Sequence, residues 1–190
     1  MADGQPSLRF TATPESEAVL ALERFRQELG IVDRDIYAWK WAIIAGHNAV
    51  QNFMVAALDS PGREQLFSTR YNREFSDWWH VQGGTGPPPP PYMATFLELY
   101  RRLGTPCEVF ADMEAVNVWR NDFLHFALNT WLVSVRPLPR RFLACLRVVE
   151  HCGWSPGRLE WTDASLGMRA QSTWADCVAA LERLQPVYES

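Results

Sequence analysis

The sequence predicts a mainly α-helical fold, a four-helix-bundle core with additional N- and C-terminal helices and a few short strands. Three observations carry that prediction. Apolar residues recur at three- and four-residue spacing through several long segments, glycine and proline punctuate the ends of those segments, and strict alternation is scarce. The 190 residues, 47% hydrophobic and 21% charged, read as one domain over 1–190, large enough to bury its core without disulfides or a structural metal.

After a short extended start at Leu8–Thr11, Pro14 and Glu15 open a helix to Leu29, with Val19, Leu22, Phe25 and Leu29 on one face and Gly30 as its stop. Asp33 is placed to cap a second helix from Arg34 to Leu58, which ends at the turn signal Asp59-Ser60-Pro61-Gly62. Residues 63–86 are weakly patterned apart from a short helix at Glu74–His80. A Gly/Pro-rich spacer follows over 83–91. Its five prolines, Pro87–Pro91, fit neither helix nor central strand, so the run reads as a stiff extended connection between two packed helices. A role as ligand for an SH3-type partner lacks the clustered basic flanks.

Tyr92–Leu103 then forms a helix closed by Gly104, and Glu108–Phe126 a longer one after Pro106. Trp131–Val135 reads as a short strand or extended link, Leu138–Cys152 as a helix ending at Gly153, and Gly157–Thr162 as extended. Asp163 precedes a last helix to Leu184.

Eighteen Lys+Arg against 22 Asp+Glu exclude a broadly basic nucleic-acid coat but leave room for a local phosphate site. Nine tryptophans each need a place for an indole N–H. Trp39, Trp41, Trp119 and Trp174 fall on helices and are assigned to packing, leaving Trp78 and Trp79 as the candidates for an exposed contact surface. Met1–Ser16 lacks a basic start and apolar run, so a cytoplasmic protein is expected. The apolar stretch Trp39–Leu58 carries His47, Asn48, Gln51 and Asn52 near its middle, which points to a buried helix and no membrane span.

Cys107, Cys145, Cys152 and Cys177 form no CxxC pair and read as reduced, buried thiols. Glu74, Asp77 and His80 do not share a helical face, so neither metal nor other cofactor is expected. No Gly-rich phosphate loop, nucleophile elbow or dinucleotide fingerprint is present.

One segment carries chemistry: Arg120-Asn121-Asp122-Phe123-Leu124-His125. On a helical wheel Val116, Trp119, Phe123 and Phe126 form the core stripe, while Glu114, Asn117, Asn121 and His125 fall roughly opposite. Asn121 and His125, four apart, are placed to hydrogen-bond and fix the ring. Arg120 sits about 140° from His125, so one helix does not easily aim both at one phosphate. Either a long Arg reaching round or a second copy of the helix across a two-fold axis would complete such a site, and a homodimer is part of the reading.

Arg120-Asn121-x3-His125 resembles the signature of the HEPN superfamily, helical-bundle domains whose Arg, following polar residue and His form a metal-independent ribonuclease site. More loosely, Trp39–Cys152 is similar to uncharacterised bacterial proteins in which a His-Asn helix precedes an Arg-Asn-Asp-Phe-x-His-Phe segment and a Leu-Pro-led helix. The resemblance implies an endoribonuclease, a toxin or defence effector, with Arg120 and His125 catalytic, Asn121 orienting, RNA as substrate, and an antidote protein as partner. His47, Asn48, Gln51, Glu114 and Asn117 are candidate supporting residues, and Arg136, Arg140 and Arg141 a downstream path for the RNA backbone.

Two other readings stand beside this one. The same groove serves a non-catalytic module binding nucleotide, RNA or a protein, or the motif is structural, with Arg120 paired to Asp112, Glu114 or a neighbouring helix.

Overall fold

The computed structural model of the chain describes residues 12–59, 63–104, 107–125 and 132–189. It is all-α, and its helices are α1 (Pro14–Leu29), α2 (Ala38–Leu58), α3 (Thr69–His80), α4 (Phe96–Arg102), α5 (Phe110–Leu124), α6 (Leu138–Trp154) and α7 (Ala164–Glu189).

α1 starts on a capping box: the Ser16 N–H donates to Thr13 Oγ1 at 3.1 Å and the Thr13 N–H donates to Ser16 Oγ at 2.8 Å. It buries Val19, Leu22, Phe25 and Leu29, the predicted face. Gly30 follows the last turn in right-handed conformation, at φ −73°, so it ends the helix without the left-handed cap usual for glycine. α2 begins at Ala38 rather than at Arg34. The Asp35 carboxylate accepts the Tyr37 N–H at 2.9 Å, a local turn that competes with helix over those residues.

α2 is the centre of the molecule because it is apolar around most of its circumference, and α1, α4, α5 and α6 all pack on it. Gly46 makes the closest crossing: a Cβ there would lie 2.5 Å from the Phe142 ring and 2.9 Å from that of Phe25. α7 closes the assembly by packing on both α1 and α6. The terminal helices are therefore not additions to a core formed without them, since α1 and α7 cover faces of α2 and α6 that would otherwise be wet.

Indole and phenol groups pin these contacts. Trp39 Nε1 donates to Tyr188 Oη at 2.9 Å, that hydroxyl donates to the Val32 carbonyl at 3.1 Å, and Trp174 Nε1 donates to the Leu146 carbonyl at 3.1 Å. Trp41, expected in the packing, is 54% exposed instead, with the Lys40 ammonium 5.0 Å from its ring. Helix α2 turns Trp39 inward, and Trp41, two residues on, points away.

The expected short strands do not form among the described residues, where pairing is limited to one antiparallel bridge between Phe67 and Met93. Residues 132–135 and 157–162 have no neighbouring strand to pair with. Leu8–Thr11 and Trp131 lie outside the described residues.

The bridge closes the base of an arm. Ser68 caps α3 by accepting the Tyr71 N–H at 3.1 Å, and the helix is longer than the predicted Glu74–His80. Gly83, Gly84 and Gly86, all at positive φ, turn the chain back, and Trp78 Nε1 donates to the Thr85 carbonyl at 3.1 Å. Pro87 and Pro89 share a groove with Trp78. The proline run is thus not a spacer between two packed helices: α3 buries none of its side chains. Among the described residues no helix is long and apolar enough to cross a membrane.

Candidate functional site

α5 faces the core through Met113 and Val116, with Trp119 and Phe123 packed against its edge. This is the predicted stripe, except that Phe126 lies outside the described residues. The polar side of the helix is not one solvent face, because Asn117 turns toward α2. His47 enters from α2, 2% exposed, its ring stacked on Phe96 of α4 at 4.1 Å. Nε2 of His47 lies 3.2 Å from Asn117 Oδ1, an oxygen that only accepts, so the ring carries its proton on Nε2 and donates it. Nδ1 is buried with no hydrogen-bond partner.

Burial pushes the His47 pKa down from 6.5 to about 4, outweighing the hydrogen bond to Asn117, and the Arg120 charge pushes the same way as burial. At neutral pH His47 is therefore a neutral donor, closed to solvent. It holds Asn117 against α2.

Arg120 is half-buried. Its Nη1 donates to Asn121 Oδ1 at 3.0 Å, and its Nε is buried with no acceptor. No carboxylate pairs with it among the described residues. Asp112, a partner expected for it on the structural reading, lies instead 3.4 Å from Arg141 and 3.8 Å from Arg140. Arg141 also donates to the Ala111 carbonyl at 3.3 Å and lies 5.4 Å over the Trp119 ring. Glu114 is exposed on the far side of α5.

His125 is the exposed C-cap of α5, with its backbone N–H donating to the Asn121 carbonyl at 2.9 Å. The expected Asn121–His125 side-chain bond is replaced by this backbone one, because Asn121 Oδ1 serves Arg120. The structure thus brings together His47, Asn117, Arg120 and Asn121, and leaves His125 at the surface beyond them. Asn48 is exposed and Gln51 half-buried. Of the downstream arginines, Arg136 and Arg140 are exposed while Arg141 is held by Asp112.

Phe96, Asp112 and Trp119 complete the site's frame. The box Thr95-x-x-Glu98 marks the start of α4 and so places Phe96 at its first position, but nothing in the sequence pairs that ring with His47. A groove of ≈ 380 Å³ between the start of α5 and the end of α6 is lined by Glu108, Arg147, Glu150, His151 and Trp154 among others, and includes neither Arg120 nor His125. Cys145, Cys152 and Cys177 are buried, and burial pushes the thiols of Cys152 and Cys177 up to about 12, out of reach of nucleophilic chemistry at neutral pH. The side chain of Cys107 lies outside the described residues.

Chemically, the arrangement sets a half-buried guanidinium, hydrogen-bonded to a neutral amide, on the same helix as a solvent-open imidazole about 7.5 Å further along its axis. Such a cation gains most from a dianionic or phosphate oxygen. No family model, curated protein or solved structure matches the chain.

Proposed function

We propose that the chain is a HEPN-like, metal-independent endoribonuclease in which Arg120 seats the RNA phosphate and His125 moves the protons. The observation that carries this reading is the state of Arg120: half-buried, with an unpaired Nε and no carboxylate partner among the described residues. A structural arginine in such a place is ordinarily neutralised by an acid. Asp112, the acid expected for it on the structural reading, is held by Arg141, and the charge of Arg120 is left for an incoming anion.

In the reaction the RNA 2′-oxygen loses its proton to a base and attacks phosphorus, the bond from phosphorus to the 5′-oxygen breaks, and that oxygen takes up a proton. The products are a 2′,3′-cyclic phosphate and a 5′-hydroxyl. Histidine suits either proton transfer, and His125 is open to solvent where His47 is not. Arg120 stabilises the charge that grows on the non-bridging oxygens. Asn121 holds the guanidinium in place through the 3.0 Å bond. In a homodimer the second His125 supplies the complementary proton transfer.

The test is incubation of the purified chain with RNA in EDTA. Cleavage to cyclic-phosphate ends is expected, with loss of about 10²–10⁴-fold in rate for His125→Ala and a comparable loss for Arg120→Ala. A wild-type chain that binds RNA saturably but leaves it intact would instead support the non-catalytic module, and one that does neither contradicts the ribonuclease and an RNA-binding module alike.

A further inference from the structure

The groove of ≈ 380 Å³ between the start of α5 and the end of α6 has no part in the site above, and its size suits a small ligand. One wall is a stripe of α6, where Glu150, His151 and Trp154 follow Arg147 by three, four and seven residues and so share a face with it. The other wall is the turn Cys107–Val109 that leads into α5 and supplies Glu108 and Val109. Val109 and Val148 are buried and give the groove an apolar floor. Trp154, half-buried, is held in place by Phe53 and Trp174, whose ring centroids lie 6.0 and 5.7 Å away.

Two features of these walls point to a polar ligand. The His151 ring is bonded through Nδ1 to Ser155 Oγ at 3.1 Å, while its Nε2 is buried with no hydrogen-bond partner, the mark of a group whose partner is missing. Burial, and after it the charge of Arg158, lower the His151 pKa, so the ring is neutral at neutral pH. With Ser155 accepting from Nδ1–H, Nε2 is left as an acceptor. The second feature is charge of both signs: Glu108, Arg147 and Glu150 line the groove, and none of them forms an ion pair among the described residues. A simple cation would meet Arg147 there, and a simple anion two carboxylates. A molecule that carries both charges close together meets neither conflict.

We infer that this groove binds a free α-amino acid with an apolar side chain. The ligand carboxylate lies on Arg147, whose planar guanidinium takes such a group through two parallel hydrogen bonds. Glu150, Glu108 and Nε2 of His151 accept from the ammonium, and the side chain rests on Val109, Val148 and Trp154. Neighbours three and four apart on a helix stand about 5–6 Å from one another at Cβ, which places Arg147 beside Glu150 and His151 as the adjoining charges of an α-amino acid require. The inference stands apart from the ribonuclease reading, since the groove includes neither Arg120 nor His125.

The test is equilibrium dialysis of the full chain at neutral pH against labelled L-leucine and L-phenylalanine, with saturable retention expected. The matching molecules that lack one charge, isopentylamine and phenethylamine without the carboxylate, 4-methylpentanoate and 3-phenylpropanoate without the ammonium, should compete at least about tenfold more weakly than the amino acids themselves. Arg147→Met and Glu150→Gln fall at exposed positions and leave the fold intact, which circular dichroism verifies. Each should weaken retention at least about tenfold, whereas Arg183→Met, exposed outside the groove, should not change it. Retention of neither amino acid, a singly charged molecule that competes as well as its amino acid, or retention unmoved by both groove variants overturns the inference.

Discussion

The α2–α5 junction and the α3 arm are made of the same materials, aromatic rings beside hydrogen-bonding side chains, yet one is closed and the other open. In the junction, His47 is roofed by Phe96, bonded to Asn117 and held neutral. In the arm, Tyr71, Phe75 and Trp79 form an equally regular stripe with no helix against it. The difference lies in what surrounds each helix. α2 is apolar on nearly every side and so recruits neighbours, while α3 is polar on most of its circumference and presents one aromatic face that no other described helix covers. Amphipathicity tells which face a helix offers for burial, but not whether a neighbour covers it.

The comparison breaks most visibly at Gly46. Gly46→Val forces side-chain atoms into the Phe25 and Phe142 rings and should destabilise the fold by about 3 kcal/mol or more, lowering Tm by about 6–12 °C in a chain of this size. Substitutions on the arm should show nothing of that scale in thermal unfolding.

A second effect of similar order belongs to His47. The unfolded chain takes up its proton near 6.5 and the folded chain only near about 4, so stability is full above the first value and falls as pH drops toward the second. At about 1.4 kcal/mol per pH unit, the acid-side loss approaches about 3 kcal/mol. Denaturant titrations between pH 7 and 4 should show it, and His47→Gln should flatten that dependence.

Removing Arg141 sharpens the picture of the junction's second side. Arg141→Ala leaves Asp112, only 13% exposed at its side chain, with the distant Arg140 as its remaining cation, and should cost about 1–2 kcal/mol in urea unfolding. Smallest of all, Trp79→Ser should change the unfolding free energy in the same urea titration by no more than about 0.5 kcal/mol, because the ring is 58% exposed on a helix with no fully buried residue.

Much of this was legible in the sequence. The face of α1, the closing of α4 before Gly104 and the Leu138-Pro139 start of α6 follow from spacing, caps and breakers that act within a few residues. The α3 helix was half hidden. Its Ser68 cap and its four-residue aromatic spacing were available, but the proline run and the lack of a burial partner masked it. Trp41 was misplaced because helical position alone does not tell which of two nearby tryptophans faces inward.

Arg120, Asn121 and His125 were singled out from their spacing. Their division into a closed and an open part was not, because it depends on Asn117 meeting His47 across α2 and on Asp112 meeting Arg141 across α6. Those are pairings of residues 70 and 29 positions apart, set by helix packing and not by local pattern.

The central claim is that proton transfer belongs to the open histidine and not to the closed one. It is tested most directly by single-turnover cleavage of RNA in EDTA by the wild-type, His47→Gln and His125→Gln chains at one protein concentration. The account predicts a rate at least about 10²-fold lower for His125→Gln and a rate within a few-fold of wild type for His47→Gln. Cleavage that survives in His125→Gln and is lost in a folded His47→Gln chain would contradict it.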